Sequence, residues 1–392
     1  MIKLAILFYT LLFIIVLLLA FLLKDRNLFI TILCSLLIIQ IILSPKLCID
    51  GAINGVILFF YKVFPSLFSF LIVSNIIINC NGIYIYAKLF GKVLCSPLNL
   101  PRNCSFALII SMLCGYPLGA KYACDLYEND EIDNNTFTRL LNIASNSSPL
   151  FILGSVGISM FKNSVLGYIL LLSNLISCFI MGFILPSKVS YNNNNHIHNS
   201  TTSNSNIGNI LKRSIENSIK TCLSIGGFVT MFSVINGILE HNLIFEIVTE
   251  KISNIFNISS SIIKGTILGI IEMTNGCNLI TTSDGNIYIK ILIISFLFTF
   301  SGFSIISQVY SFTYKFKISM GKYIFRKIIH GIICAILSLF IFKIYESKLI
   351  SKEIFSYYYS PIVSSDNIFM FLIGVIIFPV ILFKLKNLFN IF

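Results

Sequence analysis

Two short segments place helix-breaking and polar residues within apolar sequence. Ser111–Lys121 reads SMLCGYPLGAK and closes an apolar run that begins at Phe106, and Ile270–Ile280 reads IIEMTNGCNLI and closes a run from Thr266. Each run is too short to cross a bilayer, because a ten-residue helix covers about half of a ~30 Å hydrocarbon layer. Broken helices at matching positions of two halves are typical of a transporter site near the membrane midplane.

The first break can expose both ends of a helix. Pro117 has no backbone N–H, Tyr116 before it is driven toward extended geometry, and Gly115 and Gly119 can take positive φ. We expect free carbonyls on one side and a helix N-terminus, suited to an anion or a polar solute, on the other. Lys121 adds a positive charge. The alternative is an ordinary turn after a short helix, with Lys121 reaching the interface.

Glu272 is the strongest single candidate in the second break. A charged carboxylate at mid-bilayer costs about 2.5–3.5 kcal/mol, so its presence is a functional hypothesis by default. It could bind a proton or a cation, or accept hydrogen bonds from a substrate. Its candidate neighbours at the same site are Thr274, Asn275 and Gly276. The alternative is an ion pair with Lys264 or Lys121.

A second pair of polar interruptions follows the first pair along the chain. Asn146, Ser147 and Ser148 precede Pro149, and Ser301 and Ser304 enclose a glycine in the corresponding part of the second half. These side chains could contribute to the same site. Ser and Thr also hydrogen-bond between membrane helices, so a purely packing role is the alternative.

Composition places the whole chain in a bilayer. Its 392 residues are 56% hydrophobic and 11% charged, with a mean hydropathy of +0.90, whereas a soluble domain carries about a quarter charged residues. The net charge of +12 forms no basic stripe, which argues against nucleic acid. The eleven cysteines show no metal-ligand spacing, and no nucleophile or phosphate-binding motif is present. We therefore expect an all-α polytopic membrane protein that is not an enzyme and holds no cofactor or metal.

Apolar runs and breaks divide the chain into five parts. The predicted parts are an N-terminal transmembrane hairpin (1–46), a first half (47–187), a polar linker (188–209), a second half (210–346), and a C-terminal helix with its tail (347–392). The hairpin consists of Leu4–Leu23 and Leu28–Leu43, the stretch 86–102 is expected to be a connector, and the last two spans are His330–Phe342 and Ile368–Phe383. Corresponding features are offset by about 155–162 residues, which predicts an inverted repeat of transporter type.

Basic residues predict the orientation. The segment Lys315–Lys327 carries five basic residues and no acidic one, and Lys384 and Lys386 follow the last predicted span. Two crossings separate these segments, so the positive-inside rule places both, and the C-terminus, in the cytoplasm. The sequence predicts a multi-pass protein of the plasma membrane.

Four motifs resemble the signatures of a known family. They are Phe64-Pro-Ser66, Gly115-Tyr-Pro-Leu-Gly-Ala-Lys121, Ser148-Pro-Leu-Phe151 and Glu272-Met-Thr-Asn-Gly276. They are similar to those of the sporulation integral membrane protein family of endospore-forming Firmicutes, which is built around the nucleoside recognition, or Gate, domain. The resemblance implies a multi-pass protein of the sporulating cell that is associated with formation of the spore cortex.

The resemblance does not assign a substrate to this chain. Gate domains are related to modules of concentrative nucleoside transporters, which read the base partly with a Gln-Glu pair, and of ferrous-iron transport proteins. The glutamines of this chain, Gln40 and Gln308, do not stand beside a Glu, and no GTPase motif is present. Nucleoside and iron substrates are therefore not assigned.

Two functions remain open from the sequence. The first is a transporter or exporter of a small polar solute, with a coupling ion, in which the broken helices form the site. The second is a non-transporting scaffold in the bilayer that recruits sporulation proteins or a second copy of itself, in which the polar breaks serve helix packing.

Overall fold

The computed structural model describes residues 26–80, 82–186 and 206–353. In these residues it contains fifteen α-helices, two π-helical segments and no strand. Three predicted features lie outside the described residues, wholly or mostly. They are the first span Leu4–Leu23, the last span Ile368–Phe383 and the polar linker 188–209, whose last three residues lie in a helix that begins at Ile207.

Eight α-helices precede the linker. They are α1 (Arg26–Leu43), α2 (Pro45–Leu58), α3 (Phe64–Asn79), α4 (Gly82–Leu94), α5 (Cys104–Cys114), α6 (Leu118–Glu128), α7 (Asn134–Ile143) and α8 (Ser164–Ile184). A π-helical turn, Phe59–Val63, joins α2 to α3 directly before Pro65, and a π-helix, Leu150–Met160, lies between α7 and α8. The local widening allows the chain to remain helical up to the proline.

Seven α-helices follow the linker. They are α9 (Ile207–Glu240), α10 (Leu243–Phe256), α11 (Ser260–Ile271), α12 (Met273–Thr282), α13 (Ile287–Phe300), α14 (Gly302–Thr313) and α15 (Met320–Glu353). After α1, the two groups have the same order of elements: a long helical stretch, a short helix, two short helices around a break, two more around an interruption, and a long helix.

Both breaks turn the chain back on itself. An added Cβ at Gly119 of α6 would meet Ser111 of α5, and one at Gly276 of α12 would meet Gly269 of α11. Helices can pack this closely only where one side lacks a side chain. Thus α5–α6 and α11–α12 are helical hairpins of about half a membrane thickness each.

The long helices enclose these hairpins. α9 packs against α2, where Gly51 and Gly55 contact Val234, Thr230 and Ser233. α15 packs against α8 and α13. Buried side chains form two apolar clusters, one centred on α5–α7 and the other on α8, α12 and α13.

The helices confirm a polytopic, all-α membrane protein. Among the described residues, four helical segments are long and apolar enough to cross a bilayer, and the number rises to seven if each of three bent pairs counts as one span. One of the four, Ile287–Thr313, includes the interruption between α13 and α14.

The helix bounds correct several expectations. The predicted connector 86–102 is helical as far as Leu94, and His330–Phe342 is the middle of the much longer α15. Lys322, Arg326 and Lys327 therefore lie on a helix rather than in a loop, and Lys327 is buried. The predicted part boundaries near 46 and 346 fall within α2 and α15.

Candidate functional site

Tyr116 lies where the first hairpin meets the second half. Its backbone N–H donates to the carbonyl of Asn146 at 2.7 Å. Its hydroxyl donates to the carbonyl of Phe298 at 3.0 Å, is 3.3 Å from Ser147 Oγ, and also contacts Met273 Sδ. One residue of the α5–α6 turn thus contacts the α7 interruption, α12 and α13.

In each half, the hairpin turn packs against the interruption that follows it. Gly115 has a φ of 80°, and an added Cβ would meet the backbone of Ser148. Gly302 has a φ of 70°, and its missing side chain leaves room for the carbonyls of Gly269, Ile270 and Ile271. Glycine is needed at both positions because φ is positive and the approach is close. The four chain breaks therefore meet in the interior.

Glu272 separates the two helices of the second hairpin and caps one of them. It is only 4% exposed. Its Oε1 accepts from the Thr274 N–H at 3.1 Å and its Oε2 from the Asn275 N–H at 2.9 Å, so it is the N-cap of α12. The helix N-terminus carries a partial positive charge that favours a carboxylate there.

The two lysines named as alternative partners of Glu272 are engaged elsewhere. Lys264 pairs with Glu246 at 3.4 Å, and Lys121 Nζ is 3.5 Å from Asn75 Oδ1. Neither of the two ion pairs in the described part of the chain includes Glu272. Backbone N–H groups, rather than a cation, stabilise the carboxylate.

A cavity of about 780 Å³, which includes its open mouth, lies beside these breaks. Its polar lining consists of Tyr116, Ser147, Ser148, Ser155, Glu272, Thr274, Ser304 and Gln308. Its apolar lining includes Leu58, Val63, Leu67, Ile225 and Val229 from the α2–α3 stretch and α9. Ligand sites commonly combine an apolar wall with a few polar groups.

The structure brings half of the predicted site residues to this cavity. Those that line it are Tyr116, Pro117, Ser147, Ser148, Glu272, Thr274 and Ser304. Residues of the α5–α6 turn, the α7 interruption, α12 and α14 thus share one wall, as the hypothesis of a site at the helix breaks requires.

The other predicted residues lie behind this wall. Gly115, Gly119 and Gly276 allow close packing, and Gly119 lies within α6 rather than at a positive φ. Asn275 contributes its backbone N–H to Glu272. Lys121 is not part of the lining.

Two further predicted polar residues are turned into the protein interior. Asn146 Nδ2 donates to Ser111 Oγ at 3.2 Å, and Ser301 Oγ donates to the carbonyl of Thr299 at 3.3 Å. Both residues are buried and neither lines the cavity. Their geometry fits the packing alternative that the sequence left open.

Sequence reasoning missed Gln308 and Ser155. Gln308 is not beside a Glu in the sequence, but it lines the same cavity as Glu272, and its Nε2 is 3.5 Å from Ser304 Oγ. A signal was present, because Ser301, Ser304 and Gln308 recur at helical spacing on an apolar helix. Ser155 lies in the mainly apolar π-helix, and the sequence pattern did not distinguish it from its neighbours.

Two buried ionisable residues outside the cavity were also missed. Lys327 is 1% exposed and donates to the carbonyl of Ser145, and His330 is fully buried with Nε2 3.1 Å from Ser177 Oγ. From the sequence, Lys327 was considered only as part of the basic segment Lys315–Lys327, and His330 only as the start of a predicted span. No group of three or more His, Cys, Asp or Glu side chains in the described ranges is arranged to hold a metal.

Comparison with known proteins supports the family that the motifs indicated. The chain is 24% identical over 325 residues to the sporulation integral membrane protein YlbJ of Bacillus subtilis (strain 168), covering 77% of this chain and 79% of that protein. No family model matches the chain. No solved structure matches it. The similarity confirms the resemblance to sporulation integral membrane proteins that the motifs indicated, and it does not extend to the Gate domain.

Proposed function

We propose that this sporulation membrane protein transports or exports a small polar solute through the cavity at its helix breaks, and that this activity is needed for formation of the spore cortex. The observation that carries the proposal is Glu272, a buried carboxylate on the cavity wall that takes part in neither ion pair of the described residues. The sporulation role follows the similarity to a sporulation protein. The transport of a solute and its role in cortex formation are parts of this proposal.

The position of Glu272 suits it to respond to a proton, a cation or a solute. Both carboxylate oxygens accept backbone N–H groups at the start of α12. A protonated carboxyl group has less acceptor capacity than a carboxylate, so a proton would weaken this cap. The same change would remove a negative charge from the cavity wall. Occupancy of the site and the position of α12 would therefore be coupled.

The surrounding side chains provide directional contacts for a solute. Ser147, Ser148, Thr274, Ser304 and Gln308, which carry hydroxyl or amide groups, line the cavity. Such groups fix the orientation of a small polar molecule, and the apolar wall opposite excludes water. No enzymatic role is proposed.

Two features of the hairpins suit a moving element. Each hairpin is about half as long as a full span, and each turn contributes to the cavity wall: Tyr116 and Pro117 from the first, Glu272 and Met273 from the second. In transporters, sites near the midplane are formed by such discontinuous helices, and access alternates as one repeat moves against the other. We propose the same arrangement for the two halves.

Filling the cavity tests transport against the scaffold hypothesis. Ser155→Phe places a bulky ring on the cavity wall, and Ile158→Phe, on the same π-helix at a position 60% exposed, is the matched control. Each variant is expressed in a spore-forming host that lacks its own copy, and membrane abundance and cortex peptidoglycan per spore are measured. If the protein transports a solute through this cavity, Ser155→Phe should prevent cortex formation and Ile158→Phe should not, although both variants reach normal abundance.

The scaffold hypothesis predicts a different result. If the polar breaks only serve packing and the outer surface recruits sporulation proteins or a second copy, a filled cavity has no consequence once the protein accumulates. Normal cortex with Ser155→Phe at wild-type abundance would therefore contradict transport through this cavity.

A further inference from the structure

Lys327 is a buried cation that lies apart from the cavity. It belongs to α15, is 1% exposed, and its Nζ donates to the carbonyl oxygen of Ser145 at 2.8 Å. Neither ion pair within the described ranges includes it. A charge buried in the membrane needs compensation, because its desolvation costs several kcal/mol. The groups that provide this compensation are uncharged.

The first of these groups is the C-terminal end of α7. This helix ends at Ile143, Ala144 is its C-cap, and Ser145 follows at once. The carbonyl of Ile143 accepts from Asn146 Nδ2 at 3.2 Å and from Cys178 Sγ at 3.1 Å. Carbonyls at a helix C-terminus carry a partial negative charge that attracts cations. The Lys327 side chain thus lies just beyond the negative end of a short helix.

Further oxygen atoms surround the same segment. Ser145 Oγ lies 2.9 Å from the hydroxyl of Tyr323, which is one turn before Lys327 on α15. Asn146 Oδ1 is buried and has no hydrogen-bond partner among the described residues. Backbone carbonyls at half-helix ends, together with neutral side-chain oxygens, are the ligands that transporters use for small monovalent cations.

We propose that the Ser145 carbonyl, with the neighbouring Asn146 Oδ1 and Tyr323 hydroxyl, can hold a small monovalent cation. The Lys327 ammonium, which reaches the Ser145 carbonyl, takes the place of that cation and holds the interruption between α7 and the π-helix in place. The site lies on the other side of this interruption from the cavity, because Ser147 and Ser148 line the cavity while Ser145 faces Lys327. This inference concerns cation binding and stability, so it does not depend on transport.

The site can be emptied by mutation and refilled from solution. Lys327→Ala removes the tethered cation and leaves the oxygen ligands with space beside them. Thermal unfolding of the purified full chain in detergent is followed in Li⁺, Na⁺, K⁺ or N-methyl-D-glucamine chloride at equal ionic strength. We expect a small cation to raise the Tm of Lys327→Ala saturably by about 2–4 °C. The wild-type protein, whose site is filled, does not respond.

Two further variants separate charge from packing. Lys327→Met fills much of the space without a charge, and it should show no response to cations. Lys327→Arg keeps a tethered charge, and it should accumulate best of the three. The proposal is overturned if the Tm of Lys327→Ala is the same in all four salts. It is also overturned if Lys327→Ala does not accumulate in any salt while Lys327→Met does. That result would show that the site requires a side chain that fills the space, not a charge. Accumulation of Lys327→Arg alone would support a requirement for a fixed cation.

Discussion

The hydroxyl of Tyr116 donates to the backbone carbonyl of Phe298 at 3.0 Å, across a separation of 182 residues. Tyr116 lies in the turn of the first hairpin, and Phe298 lies in the last full turn of α13, directly before the interruption at Ser301. The carbonyls near a helix end have lost their intrahelical donors, and this contact supplies one. A single side chain thus connects the two halves at the cavity wall.

We predict that Tyr116→Phe destabilises the protein by about 1–3 kcal/mol, because it leaves the Phe298 carbonyl without its donor in a buried position. The measurement is the thermal unfolding midpoint in detergent. Tyr61→Phe is the matched control, since Tyr61 is 78% exposed and should tolerate the change. Equal midpoints for the two variants would show that the contact between the halves contributes no stability.

The N-cap role of Glu272 predicts a second effect on stability. Glu272→Ala leaves the N–H groups of Thr274 and Asn275 without their acceptors and should cost about 0.5–2 kcal/mol. Glu272→Asp keeps a carboxylate that can cap the helix and should cost less. Glu240→Ala, at an exposed position near the end of α9, is the control. The role is excluded if Glu272→Ala unfolds at the same temperature as Glu240→Ala.

Because the two helices of the second hairpin pack closely, replacing Gly276 should strongly destabilise the protein. An added Cβ at Gly276 would meet the backbone of Gly265 and Gly269, so Gly276→Ala should destabilise by about 3 kcal/mol or reduce accumulation. Gly227→Ala is the matched control, since nothing lies within 4 Å of an added Cβ there. Alanine in a helix is favoured over glycine, so the control should gain about 0.5–1 kcal/mol. Similar accumulation and stability of the two variants would contradict the hairpin packing.

Orientation in the membrane is a fourth prediction. Lys317 is exposed in the basic segment between α14 and α15, which the positive-inside rule places in the cytoplasm. Lys317→Cys should react with a membrane-impermeant maleimide in opened cells and not in intact ones. The chain without this substitution, treated in parallel, gives the background from its native cysteines. Reaction of Lys317→Cys in intact cells would reverse the assigned orientation.

The positions of the breaks could be predicted from sequence because their causes are local. Proline and glycine end α5 at Cys114, and the polar group after Ile271 ends α11, in the segments that the residue types indicated. The all-α membrane class followed from composition, because only a bilayer can surround so much apolar sequence. The pairing of two similar halves remains a prediction, although the order of their helices is the same.

Partners of buried polar groups could not be predicted because they depend on tertiary contacts. The alternative for Glu272 was an ion pair with a lysine, but the N-terminus of its own hairpin helix satisfies the carboxylate. Lys327 follows basic residues and precedes an apolar run, a pattern typical of a helix end at the interface. Its burial depends on the packing of α15 against Ser145, which follows the end of α7 and is 182 residues away along the chain. Gln308 shares a cavity with Glu272 only because α14 packs beside α11.

The most direct test of the proposed function compares solute movement with and without the Glu272 carboxylate. Wild-type and Glu272→Gln proteins, matched for abundance and Tm, are reconstituted in proteoliposomes and incubated with a small-molecule extract of sporulating cells. The retained solutes are then measured by mass spectrometry. We predict that at least one polar solute accumulates with the wild-type protein and not with Glu272→Gln or empty liposomes. Identical solute profiles for all three would contradict transport through the Glu272 cavity.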